Sequence, residues 1–245
     1  MMKIAVFGAL GHMGREVCTA LEKGYGGHTL AARIDAFGDK DVFSSLSACT
    51  VEADAVVDFS HHSAVTGLLD DARAKKLPVV IATTGHTEAE QAAIEGAAKE
   101  IPVFYAANMS VGVALLVKLA KEAARAMPDA DIEIIEKHHN RKLDAPSGTA
   151  LMIANALKEV REETQFVFGR GGQAKREKSE IGIHAVRMGN VVGEHEVILC
   201  TDSQTITLTH QAHSRALFAE GALVAADFIA KQKPGLYSMK DMLGE

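Results

Sequence analysis

The chain contains no tryptophan, and aromatic residues make up only 5% of it, which leaves little to build a base-stacking platform for nucleic acid. Its three cysteines, Cys18, Cys49 and Cys200, are odd in number, widely spaced and in no Cys-x-x-Cys arrangement. That excludes a disulfide framework and a structural zinc site, and it fits a reducing compartment. No long basic run is present, and 26 Lys and Arg against 32 Asp and Glu give a formal net charge of −6. A nucleic-acid or anionic-membrane partner is therefore not expected, and any anionic ligand must be met by local cations. Long hydrophobic runs are missing too. The N-terminal MMKIAVFGAL is broken at once by glycines, His12 and Arg15, too short for a signal segment or a membrane span. A soluble, cytoplasmic protein is expected.

What remains is an ordinary globular composition: 245 residues, 47% hydrophobic and 24% charged, with a mean hydropathy of +0.05. That length suits one large domain or two compact ones. Up to about Asn108, β-rich runs at 3–8, 28–35, 55–59, 78–83 and 102–108 alternate with amphipathic stretches near 12–23, 62–76 and 87–99. Nearly continuous apolar strands separated by helices predict an α/β, Rossmann-type doubly wound parallel sheet. The pattern then changes. A helix over 111–127 carries Val111, Leu115, Leu116, Leu119 and Ala123 at helical spacing, and a strand at 131–137, a polar loop and a helix at about 148–163 follow. Strands at 181–188, 191–200 and 204–211 are separated by Gly189-Asn190 and Asp202-Ser203, which read as antiparallel hairpins. This half is expected to be an α+β domain on an open mixed sheet. A last helix at about 214–231 has Leu217, Phe218, Leu223, Val224 and Phe228 to bury against the first domain. The expected division is 1–109, completed by 216–245, as a dinucleotide-binding domain, and 110–215 as a substrate-binding and oligomerisation domain. The segment Gly169 to Glu180 reads as a solvated loop.

Gly8, Gly11 and Gly14 form G-x-x-G-x-x-G where the first strand turns into the first helix. Glycines there let backbone amides approach a pyrophosphate at a helix N-terminus, although tight turns and close helix packing also select glycine. Asp35 follows Gly14 by 21 positions, at the end of the second strand, where a carboxylate can accept hydrogen bonds from ribose hydroxyls. Such a carboxylate repels a 2′-phosphate, and Ala36 offers no compensating cation. NADH is therefore expected to be used at least as well as NADPH. Ala82, Thr83 and Thr84, and Ala106, Ala107, Asn108 and Met109, end the fourth and fifth strands, where such sheets bind ligands and where Thr and Asn also serve as ordinary helix caps.

The most unusual stretch is EKHHNRKLDAPSGTA, residues 136–150. Adjacent histidines, an arginine and a lysine precede a helix start at Ser147, Gly148 and Thr149, whose amides and hydroxyls together with Lys142 suit a carboxylate. A histidine beside such a cradle can donate a proton near neutral pH. Two other readings remain: a metal site from His138, His139 and Asp144, disfavoured because adjacent strand residues point to opposite sides, and a solvated loop with a capped helix.

The same run is similar to the signature of bacterial dihydrodipicolinate (4-hydroxy-tetrahydrodipicolinate) reductases of lysine and diaminopimelate biosynthesis. GALGHMG, ATTG, AANMSVGV, IGIHAVRMGNVVGEHEV and THQAHSRALFAEGA extend the resemblance over nearly the whole chain. It implies NADH- or NADPH-dependent hydride transfer to ring C4 of a small dicarboxylate. His138 would be the general acid, Lys142 the polarising cation, His139 a substrate contact, and Gly148 and Thr149, helped by Ser147, the carboxylate binders. The cofactor would be carried by Gly8, Ala9, Leu10, Gly11, His12 and Met13, by Asp35, by Ala82 to Thr84 and by Ala106 to Met109. No metal is implied, and a homotetramer is. Some relatives have an arginine after the ribose-binding acid, and Ala36 departs from them. The competing readings are another two-domain NAD-dependent dehydrogenase of amino-acid precursors, such as a semialdehyde dehydrogenase, and a non-catalytic NAD-binding sensor.

Overall fold

The computed structural model describes residues 1–38 and 40–244. In chain order the elements are β1 (Lys3–Phe7), α1 (His12–Glu22), β2 (Thr29–Ile34), β3 (Ala55–Asp58), α2 (Val65–Lys75), β4 (Val79–Ile81), α3 (Glu88–Ala97), β5 (Pro102–Tyr105), α4 (Val111–Ala126), β6 (Asp131–His138), α5 (Gly148–Lys158), β7 (Gln165–Phe168), β8 (Glu180–Arg187), β9 (Gly193–Cys200), β10 (Thr205–Ala212), α6 (Ala216–Ile229), β11 (Gly235–Tyr237) and α7 (Met239–Met242). The chain divides into two units, Met1–Ser110 with Ala216–Glu245, and Val111–Arg215.

The first unit is a six-stranded, all-parallel sheet in the order β11-β5-β4-β3-β1-β2. Every residue of β3 and β4 is buried, because helices cover both faces. Leu68, Leu69 and Ala72 of α2 and Ile94 and Ala97 of α3 pack with Ala5, Val56, Val79, Ile81 and Val103 of the strands. Helix α6 packs on α1 and on β3, β4 and β5. Its buried stripe keeps Leu223 of the bulky face read from the sequence and otherwise runs through alanines and Ile229. Ala219, Ala222, Leu223, Ala225, Ala226 and Ile229 are buried, whereas Val224 is exposed and Leu217, Phe218 and Phe228 are half-buried. Small side chains bring this helix close to α1 and the sheet. Strand order reverses at β1, with β2 on one side and β3 on the other, and in sheets of this kind the crevice at that point receives the ligand.

The second unit is a five-stranded mixed sheet in the order β10-β9-β6-β8-β7. Central strand β6 alternates strictly, so Ile132, Ile134, Glu136 and His138 share the buried face. Above it lie Leu116, Ala120 and Ala124 of α4 and Ala150, Ile153, Ala154 and Leu157 of α5. Two expectations are corrected here. Of the two expected hairpins, the one between β9 and β10 forms and the one between β8 and β9 does not. Between β8 and β9 stands β6, parallel to the former and antiparallel to the latter. The connection crosses the end of β6, where Met188 N donates to His138 O at 2.9 Å and Asn140 N to Gly189 O at 3.2 Å. The buried face of α4 is Val113, Leu116, Ala120 and Ala124 rather than the one centred on Leu115 and Leu119, which are both exposed. The 169–180 segment is exposed from Gly169 to Lys175, as a solvated loop should be, and two of its arginines are anchored: Arg176 pairs with Asp131 at 2.7 Å and Glu133 at 3.1 Å, and Arg170 pairs with Glu180. Among the described residues no helix is long and apolar enough to cross a membrane.

Candidate active site

In the first unit the glycine turn and the second strand meet in one open cleft of about 410 Å³. Gly8 has φ +79°, and a Cβ on it would lie 2.6 Å from Phe59 O. At Gly14 a Cβ would lie 2.0 Å from Gly8 O, so close packing of α1 on its own turn requires glycine there. Gly11 differs from both. It is exposed, sits at the N-cap of α1 and places no side chain over the helix start. This is the cradle a pyrophosphate needs, since helix amides and dipole are left uncovered. Asp35 braces the turn: Oδ2 accepts from Leu10 N at 3.1 Å and Oδ1 from Phe37 N at 3.1 Å.

Gly8, Leu10, Gly11 and Asp35 line this cleft together with Ala36, Phe37, Phe59, Ser60 and His61. The last three were not singled out from the sequence; they follow β3, the strand beside β1, and strand order alone brings them there. Of the remaining turn residues, Ala9 is buried, Met13 half-buried and His12 exposed. Ala82 to Thr84 and Ala106 to Met109 do not line the cleft but follow the carboxyl ends of β4 and β5, the next strands along. There Thr83 and Met109 are buried and Thr84 and Ala107 exposed, and Asn108 Oδ1 accepts from Ser110 N at 2.9 Å.

The second unit gathers the histidine-rich run. His138 ends β6 on its buried face, with its Nδ1 2.6 Å from Glu136 Oε2. Glu136 is fully buried, and Arg187 clamps it with Nη1 2.8 Å from Oε2 and Nη2 2.7 Å from Oε1, while Ser147 N donates to Oε1 at 3.0 Å. Burial by itself would raise this carboxyl, but the bonds from Arg187, His138 and Ser147 hold it below the usual range. His195 packs edge to face against His138, ring centroids 5.2 Å apart, and its Nε2 is 3.0 Å from Ser147 Oγ. Burial first, and then repulsion from His138, push His195 down to about 4, so it is neutral at physiological pH. Lys142 is half-buried with its Nζ 2.8 Å from Asp144 Oδ1, and Arg187 also donates to Asp144 O.

Helix α5 opens at Gly148 with Ser147 as N-cap, its Oγ accepting from Ala150 N at 3.2 Å. The amide and hydroxyl of Ser147 are thus engaged within the protein. Gly148 is exposed and Thr149 half-buried, both at the positive end of the helix dipole. His139 is held below its ordinary value by loss of solvent and then by Arg141, Arg215, His138 and Lys142. Arg141, Arg215 and Lys142 near His139 gather positive charge, the setting an anion seeks. Among the described residues no group of three or more His, Cys, Asp and Glu is placed to hold a metal.

The sequence assigns no role to Glu136 or Arg187 and reads His195 as a core or interface hydrogen-bonder, which its burial and its contact with Ser147 bear out. Glu136 was within reach of it, since residues i and i+2 of a strand share a face. The other two arrive only by register, His138 opposite Arg187 and Glu136 opposite His195.

Comparison with known proteins agrees with this geometry. The family description "Dihydrodipicolinate reductase, N-terminus" matches residues 2–109, and "Dihydrodipicolinate reductase, C-terminus" matches residues 112–243. A 4-hydroxy-tetrahydrodipicolinate reductase of Caldanaerobacter subterraneus subsp. tengcongensis is 48% identical over 248 residues, covering 99% of this chain and 98% of its own. One from Clostridium novyi is 43% identical over 249 residues, with 99% and 98% covered. A dipicolinate-bound dihydrodipicolinate reductase from Paenisporosarcina sp. TG-14 superposes with a TM-score of 0.82 at 25% identity, covering 98% of this chain and 99% of that one. With both halves matched and relatives this similar over their full length, the chain belongs to the dihydrodipicolinate reductase family.

Proposed function

We propose that this chain reduces 4-hydroxy-tetrahydrodipicolinate to tetrahydrodipicolinate with NADH or NADPH, a step of lysine and diaminopimelate biosynthesis. The observation that carries the reading is the concentration of His138, His139, Arg141 and Lys142 beside the N-terminus of α5 in a chain of this family. A dicarboxylate substrate needs such a field, and the chain's net charge of −6 does not supply it elsewhere.

Replacing the 4-hydroxyl by hydrogen is a two-electron reduction that releases water; the nicotinamide, when bound, supplies the hydride. The cleft of Gly8, Gly11 and Asp35 is the part of the chain that fits a dinucleotide, with the exposed Gly11 cap under the pyrophosphate and Asp35 at the ribose hydroxyls. Ala82 to Thr84 and Ala106 to Met109, with their small side chains at the carboxyl ends of β4 and β5, are assigned to the nicotinamide end.

The second unit supplies the acid and the anion cradle. Loss of the 4-hydroxyl together with a proton of the neighbouring ring carbon as water would leave a conjugated acceptor; hydride delivered to its C4 would place negative charge on that neighbouring carbon, and His138 is placed to give the proton that quenches it there. Lys142 leaves Asp144, an exposed partner, to hold and polarise the substrate. Gly148 and Thr149 take one carboxylate at the start of α5, and His139 contacts the substrate. Ser147, whose amide and hydroxyl are committed to Glu136, Ala150 and His195, shapes this cradle without offering a donor of its own.

The test is optical. NADH oxidation is followed with freshly made 4-hydroxy-tetrahydrodipicolinate, with aspartate semialdehyde and with oxaloacetate plus ammonia as controls. Oxidation only with the first supports the reading; oxidation with a control instead, or with none, overturns it.

A further inference from the structure

The proton donor of this site is not built from His138 alone. We propose that Glu136, clamped by Arg187, is a positioning residue that fixes His138 with its Nδ1 protonated and turned inward, leaving Nε2 as the atom that gives up the proton; this rests on the donor role proposed above. Three observations support it, each independent of activity.

The first is geometric. An ionised carboxylate has only acceptors to offer, so the 2.6 Å contact between Glu136 Oε2 and His138 Nδ1 requires a proton on Nδ1. That fixes the neutral tautomer, and it leaves Nε2 to be protonated and deprotonated in each turnover.

The second is the cost of keeping such a carboxylate. Glu136 has no exposed surface, and an unpaired charge there would cost several kcal/mol or take up a proton. A protonated Glu136 could itself donate to Nδ1 and reverse the tautomer. Arg187 prevents this with two charge-assisted bonds, and Ser147 N adds a third. The guanidinium thus acts on the reaction through Glu136 and then through the imidazole.

The third is what lies over the other edge of the ring. A Cβ built on Gly193, in β9, would lie 3.1 Å from His138 Nε2, 3.5 Å from Cδ2 and 3.9 Å from Cε1. Gly193 leaves that edge uncovered on the strand nearest to it. Besides Glu136, the charged or titratable groups recorded near the imidazole among the described residues are Arg187 on β8, His195 on β9, His139 next in sequence and Lys142 on the following loop. None of these is an anion, so Glu136 is the carboxylate that stabilises the protonated ring.

The experiment reads ring nitrogens directly. Long-range ¹H–¹⁵N spectra of the ¹⁵N-histidine-labelled full chain, with His138 assigned by loss of its signals in His138→Gln, are recorded across pH. The expected neutral form carries its proton on Nδ1. In Glu136→Gln that preference is lost, and the alkaline limb of the kcat profile moves to lower pH by about one unit or more, the ordinary effect of removing an adjacent opposite charge. At neutral pH kcat falls about tenfold or more, while KM for NADH stays within about twofold. If Glu136→Gln does not fold, the spectra of the unsubstituted protein still decide, with Arg187→Lys as the second variant. A neutral His138 protonated on Nε2 overturns the proposal, and so does a Glu136→Gln profile that matches the unsubstituted enzyme. An Nδ1-protonated ring in a chain without reductase activity would overturn the functional reading and leave the positioning role standing.

Discussion

Ser147 Oγ lies 3.0 Å from His195 Nε2, joining the N-cap of α5 to strand β9 beside the proposed proton donor. The burial of His195 at this place makes the acid stability of the second unit depend on a residue with no direct chemical role. His195 titrates near 6.5 when unfolded but is held to about 4 in the fold, by burial and by its neighbour His138. Its contribution is therefore complete above about pH 6.5 and is lost as the pH falls towards 4, because the unfolded state takes up the proton first. A shift of this size corresponds to about 3 kcal/mol. Urea unfolding at pH 7 and pH 5 should show a loss in the native chain that shrinks by at least half in His195→Gln. Equal losses in both would show that the acid sensitivity lies elsewhere.

His138→Gln and Lys142→Ala should separate chemistry from binding. A placed general acid is worth about 10²–10⁴ in rate, so His138→Gln is expected to lower kcat by that order and leave NADH binding intact. Lys142→Ala should raise KM for the substrate and lower kcat together, since one cation serves both. Its ion pair with Asp144 is largely solvated, so stability should change by less than about 1 kcal/mol. A stability change without a kinetic one would remove Lys142 from the site. Equal loss of NADH binding in His138→Gln would make that histidine structural.

Cofactor choice is expected to turn on the two positions that follow β2. Asp35 is held by Leu10 and Phe37 amides with its carboxylate in the cleft, and Ala36 beside it brings no cation. NADH should therefore serve at least as well as NADPH. Placing a guanidinium there with Ala36→Arg should raise the NADPH to NADH ratio of kcat/KM by about tenfold, the worth of one exposed phosphate contact. A native ratio a hundredfold in favour of NADPH would refute the argument.

These assignments show where the sequence is informative. Strand-turn-helix chemistry is local, so the glycine turn, Asp35 and the capped start of α5 could be read directly. The alternation of β6 would also have paired Glu136 with His138. Arg187 and His195 could not be found that way, because their partners lie about fifty residues away and only sheet register joins them. Gly189-Asn190 was read correctly as a turn, yet it does not make β8 and β9 neighbours, since β6 takes a place between them. Edge strand β11 has three residues, too few for any periodicity to show. On α4 and α6 only Leu116 and Leu223 of the bulky apolar side chains read from the sequence are buried, because alanines provide most of the close packing.

Gly193 offers the sharpest separation of site geometry from stability. It pairs with Ala212 in the β9–β10 ladder, and its backbone lies outside the left-handed region, so alanine there meets no conformational penalty. Removing glycine from a strand should by itself be mildly stabilising, by about 0.4–1 kcal/mol. The new methyl group, however, would crowd His138 at Nε2, the edge through which the proton leaves. Gly193→Ala is thus expected to keep the unfolding free energy within about 1 kcal/mol and KM for NADH unchanged, while kcat falls about tenfold or more. Gly67→Ala is the control: it lies inside α2, where an added Cβ meets nothing within 4 Å. It should gain up to about 1 kcal/mol from helix propensity and leave kcat untouched. If Gly193→Ala behaves like this control, access to Nε2 does not limit turnover, and the open edge of His138 is only a consequence of packing.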